Sequence, residues 1–298
     1  MITNKLRLYS LSFSFTQPEC LKGVVCYTIF MILVTNDDGI FAPGMWVLAK
    51  ELTGVDRVVI VAPDREQSAI GTAMTLRQPL RVKKAYSIIT GVDAYAIDGT
   101  PGDAVLLAVG KLFSASIDLV VSGINEGLNL GDDVLISGTV GAALQGYLRN
   151  LPAMAISAAN SSQKSIENTA KLAALLASRF KSGELPQDAF LNVNMPDQEL
   201  IKLNGAVMTR PAHKSHLDSV EEGTDGRKGY YWLVRKKVVN DAPENTDVWA
   251  IARGKISITP LQTVLFSRPA PEIGELFCRN LLSQLKDTEA KSAQHPKF

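Results

Sequence analysis

The sequence predicts an α/β protein: a doubly wound, mostly parallel sheet, followed by a smaller β-rich C-terminal arm and a terminal helix. Two observations carry this expectation. From Met31 to Gly183, short apolar runs alternate with helical patterns, the signature of strands buried on both faces of a helix-covered sheet. Beyond Phe190 those patterns give way to β-branched and aromatic runs separated by polar, glycine-containing stretches.

Residues 32–35 read as the first strand and 44–52 as a helix, with Trp46, Leu48, Ala49 and Leu52 apolar. The β-branched run 57–62 (RVVIVA) is a strand closed by Pro63. Residues 103–112 look helical and 117–122 (IDLVVS) form another buried strand. The segment 139–149 (TVGAALQGYLR) is a helix, 153–157 (AMAIS) a strand, and 167–180 an Ala/Leu-rich helix ending near Gly183. Further on, 206–210, 230–239, 249–253 and 255–259 are β-rich, and the polar stretch 215–228 reads as a projecting hairpin or loop. Ile273, Leu276, Phe277, Leu281 and Leu285 give an amphipathic helix over 272–285. The expected organisation is an N-terminal extension (1–30), a catalytic core (31–190), a β-rich arm for oligomerisation (191–270), and a C-terminal helix and tail (271–298).

Lys and Arg number 31 against 30 Asp and Glu, a net charge of +1. That balance gives no reason to expect a nucleic-acid duplex or an acidic membrane as partner. Cys20, Cys26 and Cys278 are the only cysteines and form no CxxC pair, which excludes a disulfide scaffold and a structural zinc site. The apolar run 24–34 has 11 residues, too few to span a bilayer at roughly 20. It leads into Thr35-Asn36-Asp37 rather than a cleavage site. A cytoplasmic protein is expected. Residues 1–30 have no clear periodicity, and a chain starting at Met31 is expected to fold and keep its activity.

In a parallel sheet, ligands sit beyond the carboxyl ends of the strands, and four such segments carry polar residues. The first is Asn36-Asp37-Asp38-Gly39. Two adjacent carboxylates after an apolar strand are costly unless solvated or neutralised, and an oxygen-only site suits Mg²⁺ or Mn²⁺. A turn at Asp38-Gly39 with Asp37 as a helix cap is the plainer alternative. The second, Pro63 to Ser68, offers Ser68 as a neutral oxygen and Arg65 as a phosphate contact. In the third, Ser122 to Gly131, Asn125 and Asn129 supply neutral amides, although Asn and Gly also simply form turns. The fourth, Ser137-Gly138-Thr139, opens a helix whose free N–H groups suit an anion, or is an ordinary N-cap. Converging on one rim, the four fit a metal-assisted phosphate site. There is no GxxxxGK[ST] and no GxSxG, and His213, His216 and His295 lie away from all four.

Five motifs in order, Asn36-Asp37-Asp38-Gly39-Ile40-x-Ala42-Pro43-Gly44, Ala62-Pro63-Asp64-Arg65-x-x-Ser68, Gly99-Thr100-Pro101-x-Asp103, Ser122-Gly123-Ile124-Asn125-x-Gly127-x-Asn129-x-Gly131-Asp132-Asp133 and Ser137-Gly138-Thr139-Val140-x-Ala142-Ala143, closely resemble the SurE (survival protein E) family of metal-dependent 5′-nucleotidases. Thr246-Asp247 and Ser257-Ile258-Thr259-Pro260-Leu261 resemble its late signature. The resemblance implies a Rossmann-like core and one divalent cation per subunit, Mg²⁺ or Mn²⁺, held by Asp37, Asp38, Ser68 and Asn125. It also implies a C-terminal arm exchanged between subunits of a homodimer or homotetramer. Ile136 departs from it, since a Tyr often precedes the Ser-Gly-Thr.

The expected activity is removal of phosphate from nucleoside 5′-monophosphates by attack of water. Asp37 and Asp38 are the catalytic candidates, with Asn129, Ser137, Gly138 and Thr139 on the substrate phosphate. Two alternatives stay open. A haloacid-dehalogenase-type phosphatase needs an Asp where this chain has Asn36, and a nucleotide-binding regulatory module would have little need of both carboxylates.

Overall fold

The computed structural model describes residues 29–114, 116–213, 216–224, 228–237 and 242–263. The N-terminal extension up to residue 28 and the expected helix over 272–285 lie outside them. Nine strands form one sheet. In chain order they are β1 (Met31–Thr35), β2 (Arg57–Pro63), β3 (Val82–Lys84), β4 (Asp93–Ile97), β5 (Leu119–Glu126), β6 (Ala153–Ala158), β7 (Phe190–Met195), β8 (Ala206–Met208) and, after a separate hairpin, β11 (Ile256–Pro260). Their order across the sheet is β3-β4-β2-β1-β5-β6-β7-β11-β8. The six strands from β4 to β7 in that order run parallel, and β3 and β11 are antiparallel to their neighbours β4 and β7.

Alternation along β1 explains why the sheet is covered twice. Ile32 and Val34 face a core shared with α1 (Pro43–Leu52) and α4 (Gln163–Ser182). Met31 and Leu33 face the opposite core, with α2 (Pro101–Leu107) and α3 (Gly138–Tyr147). A strand apolar at every position therefore needs helices on both sides. From β1 the chain builds outward to β2 and β4, then returns to β5 and builds the other way. The crevice between β1 and β5 is thus the topological switch point, where such folds bind ligands.

Several expectations change in detail. The helix expected over 103–112 starts earlier, because Thr100 and Asp103 form a reciprocal capping box (Thr100 N to Asp103 Oδ2 2.9 Å, Asp103 N to Thr100 Oγ1 3.1 Å). It ends at Leu107 and widens into one looser turn, Ala108–Leu112. The segment 249–253, read as β, lies in helix α5 (Asp247–Ala252) instead. There the Thr246 hydroxyl accepts from Trp249 N at 3.3 Å, so the cap outranks the β-branched and aromatic composition. Strands β3, β4 and β7 were not foreseen. The β-rich C-terminal part divides: β8 and β11 extend the main sheet, while β9 (His216–Thr224) and β10 (Gly229–Lys237) pair as a two-stranded hairpin of their own.

Glycines in α3 let it lie close to its neighbours. A Cβ on Gly141 would stand 2.3 Å from the backbone oxygen of Gly71, which cannot swing away as a side chain would. Gly141→Ala is expected to destabilise the fold by about 2 kcal/mol. A lower midpoint in urea denaturation, with unchanged slope, checks it.

Candidate metal and phosphate site

The loop after β1 is shaped by its own residues. Asn36, fully buried, donates from Nδ2 to Gly39 O (3.1 Å) and accepts from Gly39 N (3.2 Å), closing a tight turn. Gly39 has φ +94°, and a Cβ there would meet the Arg65 backbone at 3.0 Å. Gln67 N donates to Asp37 O (2.7 Å) and Ile40 N to Pro63 O (2.8 Å), which ties this loop to the one after β2. Asp37 and Asp38 are thereby held at the mouth of the switch-point crevice.

That crevice is a cavity of about 530 Å³. Asp37, Asp38, Ser68, Asn125, Asn129 and Ser137 all line it, so the structure brings together six of the eight expected residues. Gly138 and Thr139 are not among the lining residues and stand against Asp37. A Cβ on Gly138 would lie 2.8 Å from Asp37 Cβ and 2.9 Å from its Oδ2, so glycine makes room for the carboxylate. Thr139, fully buried, donates its hydroxyl to Asp37 Oδ1 in a short hydrogen bond, and its backbone N–H also stabilises that carboxylate. The start of α3 therefore serves Asp37 first. Arg65 does not line the cavity; it is exposed and pairs with Asp64 at 3.4 Å.

Glu66, Glu126 and Asp133 also line the cavity; none is among the expected site residues, although each lies inside a motif segment. Position relative to the strand exits was the signal that would have found them. With Asp37 and Asp38 they make five carboxylates, and no Lys or Arg is among the described lining residues. Burial pushes the Asp37 carboxyl above its usual range, partly offset by Thr139. Asp38 is pushed up to about 7, first by burial, then by the charges of Asp37, Glu126 and Glu66.

This electrostatics asks for a cation. Asp38 Oδ2 is buried with no hydrogen-bond partner, an uncompensated acceptor that a compact cation would satisfy. Asn125 donates Nδ2 to Gly127 O (2.7 Å), which leaves its Oδ1 for the cavity. The Ser68 hydroxyl donates to Glu66 Oε1 (2.6 Å), leaving its oxygen lone pairs outward. Among the described residues no three His, Cys, Asp or Glu side chains form a metal-holding group. The cavity lining offers carboxylate, hydroxyl and amide oxygens, donor types that suit a hard divalent cation.

Because Thr139 holds Asp37, Thr139→Val is expected to weaken Mn²⁺ binding by roughly 10- to 100-fold, as loss of an outer partner of a ligand typically does. Thr139→Ser keeps the hydroxyl and should retain affinity. A Mn²⁺ titration of the three proteins decides it.

A doubly wound α/β sheet with paired carboxylates, neutral oxygens and a helix start at its switch point defines a metal-assisted phosphohydrolase type of site. The sequence model of the family described as Survival protein SurE matches residues 32–218. The 5′-nucleotidase SurE of Dehalococcoides mccartyi (strain CBDB1) is 48% identical over 262 residues, covering 87% of this chain and 99% of the relative. That of Geobacter sulfurreducens is 45% identical over 232 residues, covering 77% and 87%. The crystal structure of the SurE protein from Aquifex aeolicus superposes with a TM-score of 0.71 at 35% identity, covering 83% of this chain and 99% of the other. The chain belongs to the SurE family.

Proposed function

We infer that the chain is a 5′-nucleotidase, hydrolysing the phosphate monoester of nucleoside 5′-monophosphates with one divalent cation, Mg²⁺ or Mn²⁺, per subunit. The observation that carries this reading is the partnerless, buried Asp38 Oδ2 beside Asp37, Ser68 and Asn125 in one cavity. The family's 5′-nucleotidase members support it. Asp37, Asp38, Ser68 and Asn125 would hold the cation, which supplies Lewis acidity toward phosphate oxygens. It also supplies the positive charge that five carboxylates withhold from an anionic substrate.

The chain's own groups do the rest. The Ser137 oxygen accepts from Val140 N (3.2 Å), so its hydroxyl hydrogen remains for a phosphate oxygen. Asn129 adds an amide donor, and Gly138 contributes the N–H of the first residue of α3. With Asp37 Oδ1 occupied by Thr139, Asp38 is the carboxylate available to orient the attacking water and take its proton. Ile136 sits at the cavity wall, where its aliphatic side chain offers an apolar surface to the nucleoside.

Release of inorganic phosphate from AMP with Mn²⁺, abolished by EDTA and restored by fresh Mn²⁺, is the expected result. Tight AMP binding without turnover would favour a regulatory binding module instead. A panel of nucleoside monophosphates under one metal condition reads out the preferred base.

Val220, Tyr231, Trp232 and Leu233 are exposed on the β9–β10 hairpin, and an isolated two-stranded hairpin is marginal in water. We propose that this arm packs against a second subunit. Light scattering should give a dimer or tetramer; a stable, active monomer at micromolar concentration overturns it. Among the described residues no helix is long and apolar enough to cross a membrane. A cytoplasmic location is proposed from the cysteine usage, three cysteines with no CxxC pair.

A further inference from the structure

Strand β7 carries two asparagines, Asn192 and Asn194, at alternate positions and both fully buried. Their neighbours Leu191, Val193 and Met195 are apolar, so the amides stand out as costly unless used. Both turn out to grip a single residue across the sheet end. Asn194 Oδ1 accepts from Asn129 N at 2.9 Å while its Nδ2 donates to Asn129 O at 3.1 Å. One side-chain amide thus makes the two-way pairing that a neighbouring strand's backbone would make. Asn192 Nδ2 donates to the same carbonyl at 2.8 Å. The Asn129 side chain is fixed in turn, its Nδ2 donating to Ser157 Oγ on β6 at 2.9 Å.

We propose that Asn194 is a positioning residue, clasping the backbone of Asn129 so that its amide meets the substrate phosphate. This rests on the phosphate-site reading above. The residues from Leu128 to Leu130 belong to no strand or helix, so the register of Asn129 is set by these side-chain bonds rather than by a backbone ladder. Asn129 lines the cavity with Asp37 and Asp38, yet is not among the four cation donors. Loss of the clasp should therefore weaken handling of phosphate while sparing metal binding.

The test is a double-mutant cycle of Asn194→Ala with Asn129→Ala in the full chain. It uses three readouts: Mn²⁺ titration, the rise in melting temperature on adding inorganic phosphate to the Mn²⁺-loaded protein, and kcat/KM for AMP. Asn194→Ala should keep Mn²⁺ affinity within about twofold but lower kcat/KM by roughly 10- to 30-fold and shrink the phosphate-induced shift. In the Asn129→Ala background the same change should cost less than about twofold, because the residue it acts through is gone. A loss equally large in both backgrounds, or parent-like kcat/KM in Asn194→Ala, overturns the proposal. Asn194→Asp, isosteric but with its donor replaced by an acceptor, serves if the alanine variant does not fold and should show the same dependence on Asn129. A parent protein that releases no phosphate from AMP would instead count against the hydrolase reading itself, leaving the phosphate-induced shift to judge the clasp.

Discussion

Asp38→Asn is expected to reduce phosphate release from AMP by roughly 10³-fold or more, because it removes a cation-holding charge and the group that orients water together. The change is nearly isosteric, so the fold should survive. Asp37→Asn should likewise lose Mn²⁺ affinity, though its Oδ1 can still accept from Thr139. The metal-free proteins should respond in the opposite sense. Asp38 is raised to about 7 by burial and by three neighbouring carboxylates, so the empty parent carries unrelieved repulsion at neutral pH. Removing one charge should stabilise the metal-free protein by on the order of 1 kcal/mol, solvent at the exposed part of the group screening the rest. Metal titration, thermal melting without metal, and steady-state hydrolysis check the three parts. If both variants bind Mn²⁺ and hydrolyse AMP like the parent, the site assignment is wrong.

Lowering the pH from 8 to 5 should weaken Mn²⁺ binding by about 100-fold or more, since protons compete for carboxylates that must ionise to hold the cation. The raised position of Asp38, with Asp37 raised by burial as well, moves that competition up toward neutrality. The sign for stability follows from the same shift. A carboxyl whose folded pKa lies above its unfolded value stabilises fully below the unfolded value, near 4, and loses that contribution as pH rises through about 7. The metal-free protein should therefore be less stable, through this group, at pH 8 than at pH 5. Saturating Mn²⁺ should reverse the slope. Melting curves across pH with and without Mn²⁺ would show two opposite trends, and Asp38→Asn should flatten both. Parallel trends in the parent would refute the linkage.

The sheet was legible because its central strands carry near-continuous apolar runs, as in 58–62 and 153–156, and such runs have no other comfortable place. The strands that escaped notice are of a different kind. Edge strand β3 is three exposed residues including two lysines. Strand β7 hides Asn192 and Asn194 in its core, so it breaks the apolar pattern for the sake of Asn129. Helix α5 was misread because composition was weighed above the Thr246 cap.

The sequence by itself determined the doubly wound sheet, the strand exits that carry the site, and the residue types a cation and a phosphate require. These follow from local patterns: runs of apolar residues, and paired carboxylates where a strand stops. Only the tertiary structure decided which of those residues meet. Thr139 and Asp37 lie 102 positions apart, and only the approach of α3 to the β1 exit makes the threonine a partner of the carboxylate. Asn129 and Asn194 are separated by 65 positions, and their clasp exists because β7 ends beside that loop. Asp247 accepts from Gly131 N at 2.7 Å across 116 positions, bracing the turn Gly131–Leu135 that leads to Ser137. Hydrogen bonds are directional and short-ranged, so pairings of this kind are set by where the backbone brings two groups, which no local pattern encodes.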